Sequence, residues 1–323
     1  MGLWLARRGV QAIITFVLAL TLLFVLMRLA PGDPVQRLEG ERPMSPQEIA
    51  RLRQRFGVDQ PIGRQYQLFL GGVARGDLGT SIEYNRPVTT LLRERLPATI
   101  LLGGTVILVN FTLGIWLGVR QARRRGSGED RLLTAVSLAG HAMPSFWLAL
   151  ILASLVGVRL RWLPSAGLSD PLLGADAPLL ARAMDVAAHL VLPALTLILV
   201  TLAGTMRFQR GAMLEVLRLP YIVTARAKGV PETRVTWRHA WRNAVFPMVT
   251  LLALWLPLLV TGSVFVEAVF AWPGLGSLAA AAAGNRDYPL LMGVAILAGG
   301  LLVGSSMVAD LAYAALDPRV RLA

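Results

Sequence analysis

The sequence predicts an all-α integral membrane protein with six transmembrane helices. Three observations indicate this class: long apolar runs, few charged residues, and a positive charge excess confined to alternate connecting segments. Hydrophobic residues make up 55% and charged residues 16% of the 323 residues, whereas soluble domains carry about 25% charged residues. The chain has no cysteine, which excludes disulfides, thiol catalysis and cysteine-ligated metal or iron–sulfur sites.

Six segments are long and apolar enough to cross a bilayer core about 30 Å thick as helices. They are residues 10–30, 98–119, 132–157, 186–206, 244–267 and 289–316. Arg7 and Arg8 precede the first span, as they would in a signal peptide. Its apolar stretch is too long for a signal peptide and no Ala-x-Ala cleavage site follows, so we predict a retained anchor.

Charge predicts the side of the membrane that each connecting segment faces. One set of segments carries a net charge of +12: residues 1–9, 120–131, 207–243 and 317–323. The alternate set carries +2: residues 31–97, 158–185 and 268–288. Because cytoplasmic loops are enriched in Lys and Arg, both termini are predicted to be cytoplasmic. The overall charge of +13 therefore reflects topology, and no nucleic-acid partner is predicted.

The chain accordingly divides into four parts. They are the cytoplasmic N-terminus with the first span (1–30), an extracytoplasmic segment (31–97), a five-helix core (98–316) and a cytoplasmic tail (317–323). Three amphipathic helices are predicted in the external segment, beginning at Ser45, Pro61 and Pro87 and ending at Gly57, Gly76 and Pro97. The first has the capping-box pattern Ser45-Pro46-Gln47-Glu48. We expect these helices to lie on the outer face of the membrane or to cap the bundle, and the simpler interpretation is a packed cap without a ligand.

The predicted cytoplasmic loop 207–243 has the pattern of two short helices joined by a turn. Pro220 and Pro231 can each begin a helix, and Gly229 can end the first one in a left-handed conformation. Glu232 lies in the first turn of the second helix, where the dipole favours an anion. A basic face is predicted from Arg226, Lys228, Arg234, Arg238 and Arg242, with apolar anchors at Ile222, Ala225, Val235 and Trp241. This pattern suits docking onto a cytoplasmic partner, and binding to the lipid surface is the alternative.

This loop resembles the cytoplasmic coupling motif of ABC-importer permeases. The matching residues are Tyr221–Gly229, Arg238–Ala244 and Pro247. Further segments along the chain are similar to the first (B-type) permease of the dipeptide/oligopeptide/nickel family: Leu29–Pro34, Phe56–Pro61, Gly76–Ser81, Pro144–Trp147, Phe270–Gly276 and Leu316–Arg321. One departure is that Val223-Thr224-Ala225 stands where the general importer motif begins Glu-Ala-Ala.

The resemblance implies a pore subunit of an ATP-driven importer in a bacterial or archaeal inner membrane, with peptides as the substrate. Nickel, glutathione or another small solute is the alternative cargo. The implied partners are a second homologous permease, two ATPase subunits that bind ATP and Mg, an extracytoplasmic substrate-binding protein and membrane lipid. The implied ATPase-coupling residues are Tyr221, Thr224, Ala225, Arg226, Ala227, Lys228, Gly229, Arg238, His239, Arg242 and Asn243.

The residues themselves indicate that the chain is not an enzyme and has no cofactor of its own. A Walker A loop needs Gly-Lys-Ser/Thr, but the chain's one lysine, Lys228, is followed by Gly229. No His-Glu-x-x-His or Gly-x-Ser-x-Gly motif occurs. The pairs Gly114/Gly118 and Gly300/Gly304 predict close helix contacts.

Polar residues inside the spans are the candidates for a translocation path or gate: Asn110, His141, His189 and Glu267. Each could instead be a hydrogen-bonded packing residue. A secondary transporter or channel remains a distant alternative, although no internal repeat is evident.

Overall fold

The computed structural model describes residues 2–29, 45–48, 60–174, 176–255 and 263–316, and these are almost entirely helical. In chain order the helices are α1 (Gly2–Leu29), α2 (Ile62–Arg75), α3 (Val88–Arg123), α4 (Gly128–Ala142), α5 (Ser145–Leu152), α6 (Leu179–Val216), α7 (Pro220–Ala227), α8 (Glu232–Arg234), α9 (Trp241–Ala244), α10 (Phe246–Trp255), α11 (Val264–Val269), α12 (Leu275–Gly284) and α13 (Tyr288–Leu316). The π-helical segments Ala153–Arg159 and Val235–Ala240 continue α5 and α8.

Four described helices are long and apolar enough to cross a membrane. They contain the candidate spans Ala6–Leu29, Val88–Arg123, Leu179–Val216 and Tyr288–Val308. These confirm apolar helices at four of the six predicted positions. The predicted span 244–267 corresponds to α10 and α11, and residues 256–262 between them lie outside the described part of the chain.

The third predicted span, 132–157, is not one straight helix as expected. It consists of α4 and α5, which meet at an angle of 97° and count as a fifth span only as a bent pair. Pro144 has no N–H, and its ring disfavours a helical conformation of the residue before it. Met143 is accordingly extended, with φ −80° and ψ 131°.

A second correction concerns Pro97, which was expected to separate an external helix from the second span. The structure has one continuous helix, α3, with Pro97 inside it. Contacts on both sides of Pro97 hold the helix together. Before it, Val88, Leu91 and Leu92 pack against α12 and α13, and after it, the Thr99 hydroxyl accepts a hydrogen bond from the backbone N–H of Leu275 at 2.7 Å.

The helices predicted to begin at Ser45 and Pro61 are confirmed as helices as far as the structure describes them. The Ser45 and Glu48 side chains each bind the other residue's backbone N–H, as a capping box requires; residues 49–59, including the predicted end at Gly57, lie outside the described ranges. Helix α2 ends at Gly76, which has φ 73°. Phe24 of α1 stacks on Phe69 of α2, and this contact supports a packed cap.

Helices α3 and α6 form the centre of the bundle. A Cβ added to Gly114 would lie 2.6 Å from Cγ2 of Thr205, and one added to Gly118 would lie 2.7 Å from the Met206 carbonyl oxygen. This glycine pair therefore makes the predicted close contact. The pair Gly300/Gly304 does not, because a Cβ at Gly304 would have no neighbour within 4 Å among the described residues.

Candidate functional site

Residues 220–244, called here the helix pair, have the predicted helix–turn–helix form. Helix α7 begins at Pro220, and the next helix begins after Pro231. Gly229 has φ 75°, the left-handed conformation that lets the chain reverse between the two helices. The predicted turn is therefore confirmed at the residue proposed for it.

The apolar anchors of the helix pair face the protein's own core, whereas the sequence interpretation offered them to a partner. Ile222 and Val235 are fully buried, and Ala225 and Trp241 pack against the same cluster. The cluster also contains Val119, Ala122, Met213, Ala240 and Ala244. The helix pair is consequently attached to the ends of α3 and α6, so a displacement of the pair would be transmitted to both helices.

The outer face of the helix pair is cationic. Its exposed basic side chains are Arg226, which pairs with Glu232, and Lys228, Arg234, Arg238 and Arg242. Large apolar side chains interrupt this charge: Val223 is 56% exposed, Tyr221 39% and Trp237 37%. Thr224 and Ala227 are exposed on the same face. The combination of exposed cations and exposed apolar side chains can bind an acidic protein surface that also presents an apolar pocket.

Polar contacts fix the two helices relative to each other. Arg226 binds Glu232 through two hydrogen bonds, at 3.1 and 2.7 Å. The hydrogen bond from Arg226 holds the pKa of Glu232 below its ordinary value. Asn243 donates to the Tyr221 hydroxyl at 2.7 Å, and that hydroxyl donates to the His239 carbonyl oxygen at 3.3 Å. Arg226, Tyr221, Asn243 and His239 therefore shape the turn, in addition to any contact with a partner.

Three of the four candidate path residues are buried and hydrogen-bonded. Asn110 donates to Thr201 at 2.8 Å and accepts from Thr205 at 2.5 Å, which joins α3 to α6. His189 is 7% exposed, and its Nδ1 lies 2.9 Å from the Asp185 carbonyl oxygen. These two residues have the contacts expected of packing residues.

Glu267 is fully buried beside the turn that connects α11 to α12. Its Oε2 accepts a hydrogen bond from the Ser277 N–H at 2.8 Å, in the first turn of α12. Trp272, also fully buried, donates its indole N–H to the Ala98 carbonyl oxygen at 2.9 Å. We call residues 263–277 the Glu267 turn; it attaches α12 to the first half of α3.

His141 differs from the other three candidates because it is exposed. It lines an open pocket of about 350 Å³ together with Gly204, Arg207 and Phe208. Its Nδ1 lies 2.9 Å from the Val200 carbonyl oxygen. Within the described residues no group of three or more His, Cys, Asp or Glu is placed to hold a metal ion.

Sequence reasoning did not identify Val223, Trp237 or Arg207 as surface residues of interest. Helical spacing offers a signal for Val223 and Trp237, since Ile222 and Val235 face inward and their near neighbours must face outward. For Arg207 the sequence signal is its position: it directly follows the predicted span 186–206 and lies between Gly204 and Gly211, whose lack of side chains leaves space around it.

Comparison with protein families covers nearly the whole chain. Residues 110–322 match the family model described as binding-protein-dependent transport system inner membrane component, and residues 1–103 match the model for its N-terminal part. A di/tripeptide transport system permease of Pseudomonas aeruginosa is 39% identical over 98% of both chains. An oligopeptide transport system permease of Bacillus subtilis is 38% identical over 99% of both chains. A dipeptide transport system permease of Escherichia coli is 36% identical over 98% of both.

Proposed function

Because the chain belongs to the family of binding-protein-dependent transport system inner membrane components, we propose that it is the transmembrane pore subunit of an ABC importer for peptides. Relatives at 36–39% identity that it matches end to end are di/tripeptide, oligopeptide and dipeptide permeases. A permease of this kind is a transporter subunit and not an enzyme. ATP and Mg bind to separate ATPase subunits, and an extracytoplasmic binding protein delivers the peptide.

The helix pair is the observation that carries this proposal. It exposes Lys228, Arg234, Arg238 and Arg242 while its buried anchors attach it to α3 and α6. A surface built this way can receive a movement from an ATPase on its outer face and pass it to the membrane helices. A channel would not need such a lever.

The proposed arrangement has six spans, both termini in the cytoplasm, and a second homologous permease that completes the pore. Four apolar helices and one bent pair support a multi-pass chain. The charge asymmetry of the connecting segments supports the orientation. Single cysteines at positions 45 and 233 test it in a chain without native cysteine. In intact cells an impermeant thiol reagent should label position 45 and not 233. Labelling of position 233 and not 45 would show that the chain has the opposite orientation.

Peptide uptake by the reconstituted complex tests the function. The two permeases, the ATPases and the binding protein would be assembled in proteoliposomes with ATP inside. A defined mixture of di- to pentapeptides would be supplied outside, and internal peptides identified by mass spectrometry. ATP-dependent accumulation of peptides is expected. Accumulation of nickel or glutathione without any peptide would contradict the proposed substrate class.

A further inference from the structure

One exposed face of α6 carries glycines and charged residues beside a single large apolar side chain. Its exposed residues include Gly204, Arg207, Phe208, Gly211 and Glu215, called here the α6 strip. A Cβ added to Gly204 or Gly211 would find no neighbour within 4 Å among the described residues. A helix face in contact with lipid tails normally carries large apolar side chains.

The exposed face of α1 has that lipid-facing composition and offers a comparison. Its exposed large side chains include Ile13, Leu18, Leu22 and Leu26. The α6 strip instead combines two glycines and Phe208 with a cation and an anion. Arg207 directly follows the predicted span 186–206, whereas His141, in the same pocket, lies inside the predicted span 132–157. Because ionisable residues inside spans usually face a water-filled cavity or the bundle interior, the strip and His141 together indicate an aqueous path at the cytoplasmic end of the bundle.

The rotation of α6 that exposes this strip is fixed by contacts on its opposite side. Thr205 is bonded to Asn110 of α3 at 2.5 Å, and Gly118 of α3 lies against Met206. One turn further along, Arg210 binds Asp130 of α4 through hydrogen bonds at 3.1 and 2.9 Å. Arg210 is thus used within the fold. Arg207 is exposed and forms no hydrogen bond or ion pair with the described residues.

The pocket around Arg207 has a second polar group, the imidazole of His141. Because a carbonyl oxygen only accepts hydrogen bonds, the contact between His141 Nδ1 and the Val200 oxygen, at 2.9 Å, requires the proton on Nδ1. In the neutral ring, Nε2 is then an acceptor. Gly140 allows this contact, since a Cβ there would lie 2.8 Å from the Leu199 carbonyl oxygen. Phe208, 47% exposed, supplies an apolar wall.

We propose that Arg207 and His141 form a subsite for the peptide at the cytoplasmic end of the path, where the Arg207 guanidinium receives the C-terminal carboxylate. The inference rests on the proposed function and on the proposed orientation of α6. A guanidinium matches a carboxylate through two parallel hydrogen bonds. The His141 Nε2 accepts a peptide N–H, and Phe208 contacts apolar side chains. A carboxylate is common to all peptides with a free C-terminus, so this subsite would serve peptides of any sequence.

Uptake per ATP hydrolysed, measured with the reconstituted complex and the same peptide mixture, tests the subsite. Arg207→Gln should lower uptake of all peptides about tenfold, as expected for the loss of a charged hydrogen-bonded pair. Arg207→Lys, which keeps the charge and loses the fork geometry, should give an intermediate value. Arg182→Gln is the matched control, because Arg182 is an exposed arginine of the same helix, and it should behave as the wild type.

Other outcomes would overturn the inference. Wild-type uptake by Arg207→Gln would contradict it while leaving the peptide function intact. Loss of co-purification with the second permease would assign Arg207 to the subunit interface. A defect seen in vesicles containing phosphatidylglycerol but absent in pure phosphatidylcholine would assign it to a lipid phosphate. Absence of peptide uptake by the wild-type complex would instead refute the proposed function on which the subsite depends.

Discussion

The Glu267 turn and the helix pair lie at opposite ends of α3 and use polar residues in opposite ways. At one end, Glu267 and Trp272 are fully buried, and the Glu267 Oε2 and the Trp272 indole N–H bind the protein's own backbone. At the other, the helix pair buries apolar side chains and exposes five cations. From Thr99 to Val119, α3 spans about 30 Å at 1.5 Å per residue.

The difference shows which end is built to keep its shape and which is built to bind. Buried polar groups that lose a partner cost about 1–3 kcal/mol each, so the Glu267 turn tolerates little change. Exposed charges contribute little to stability and remain available to another protein. Mutations at the two ends should therefore have different effects. Those in the Glu267 turn should impair folding, and those in the helix pair should impair coupling to the ATPase.

The largest loss of stability is expected for Gly274→Ala in the Glu267 turn. The added Cβ would overlap Oε2 of Glu267 and lie 2.7 Å from the Thr99 hydroxyl. Such overpacking typically costs about 1–3 kcal/mol, and displacement of Glu267 would weaken its bond to Ser277. We expect a lowered free energy of unfolding, measured as a lower melting temperature in detergent.

Gly284→Ala is the control for this prediction, because a Cβ at Gly284 meets no atom within 4 Å among the described residues. It should melt at or slightly above the wild-type temperature, since alanine favours a helix more than glycine does. Equal melting temperatures for the two variants would contradict the conclusion that the Glu267 turn is tightly packed.

At the helix pair, Gly229→Val should impair coupling more than folding. The left-handed conformation of Gly229 makes a β-branched residue unfavourable by roughly 1–2 kcal/mol, although the added side chain starts in open space. We expect normal assembly of the permeases with weakened ATPase retention and reduced peptide uptake. Gly229→Asn should retain more function, because asparagine adopts this conformation more readily. Normal ATPase stoichiometry and uptake in Gly229→Val would leave lipid-surface binding as the better interpretation of the loop.

The smallest effect is expected for Glu232→Gln. The Arg226–Glu232 pair is about half exposed, with side-chain exposures of 41% and 51%, and exposed pairs contribute about 0.2–1 kcal/mol. Because the pKa of Glu232 is lowered in the folded state, its contribution is present above the ordinary value of about 4.3. It is lost as the pH falls through the lowered pKa.

Melting temperatures of wild type and Glu232→Gln at pH 7 and at acidic pH would check this. The small difference at pH 7 should shrink on acidification. A double-mutant cycle with Arg226→Gln would show whether the difference belongs to the pair. A difference that grows as the pH falls would mean that Glu232 acts through some other contact.

Sequence patterns correctly predicted helix starts, helix ends and turns where the conformation depends on a few neighbouring residues. The capping box at Ser45, the helix end at Gly76 and the left-handed Gly229 depend on the conformation of a few neighbouring residues. The apolar runs likewise predicted helices α1, α3, α6 and α13. These features need no knowledge of the rest of the chain.

The features that the sequence did not predict depend on contacts between residues far apart in the chain. Pro97 does not end a helix because Thr99 and Leu92, on its two sides, are held by α12 and its neighbours. The outward or inward direction of Ile222 depends on the ends of α3 and α6, which sequence spacing within the loop does not reveal. Arg207 and Arg210 look alike in sequence, and the partner Asp130 that distinguishes them comes from another helix.

Site-specific photo-crosslinking in the assembled importer tests the central claim most directly. A photoreactive residue would replace Val223, which is exposed on the helix pair, or Glu83, which is exposed near the opposite end of α3. Ile222, fully buried next to Val223, is the matched control and should crosslink only within this chain. The account predicts that position 223 crosslinks to the ATPase and position 83 to the binding protein. Crosslinks from position 223 to lipid alone, or to the binding protein, would contradict it.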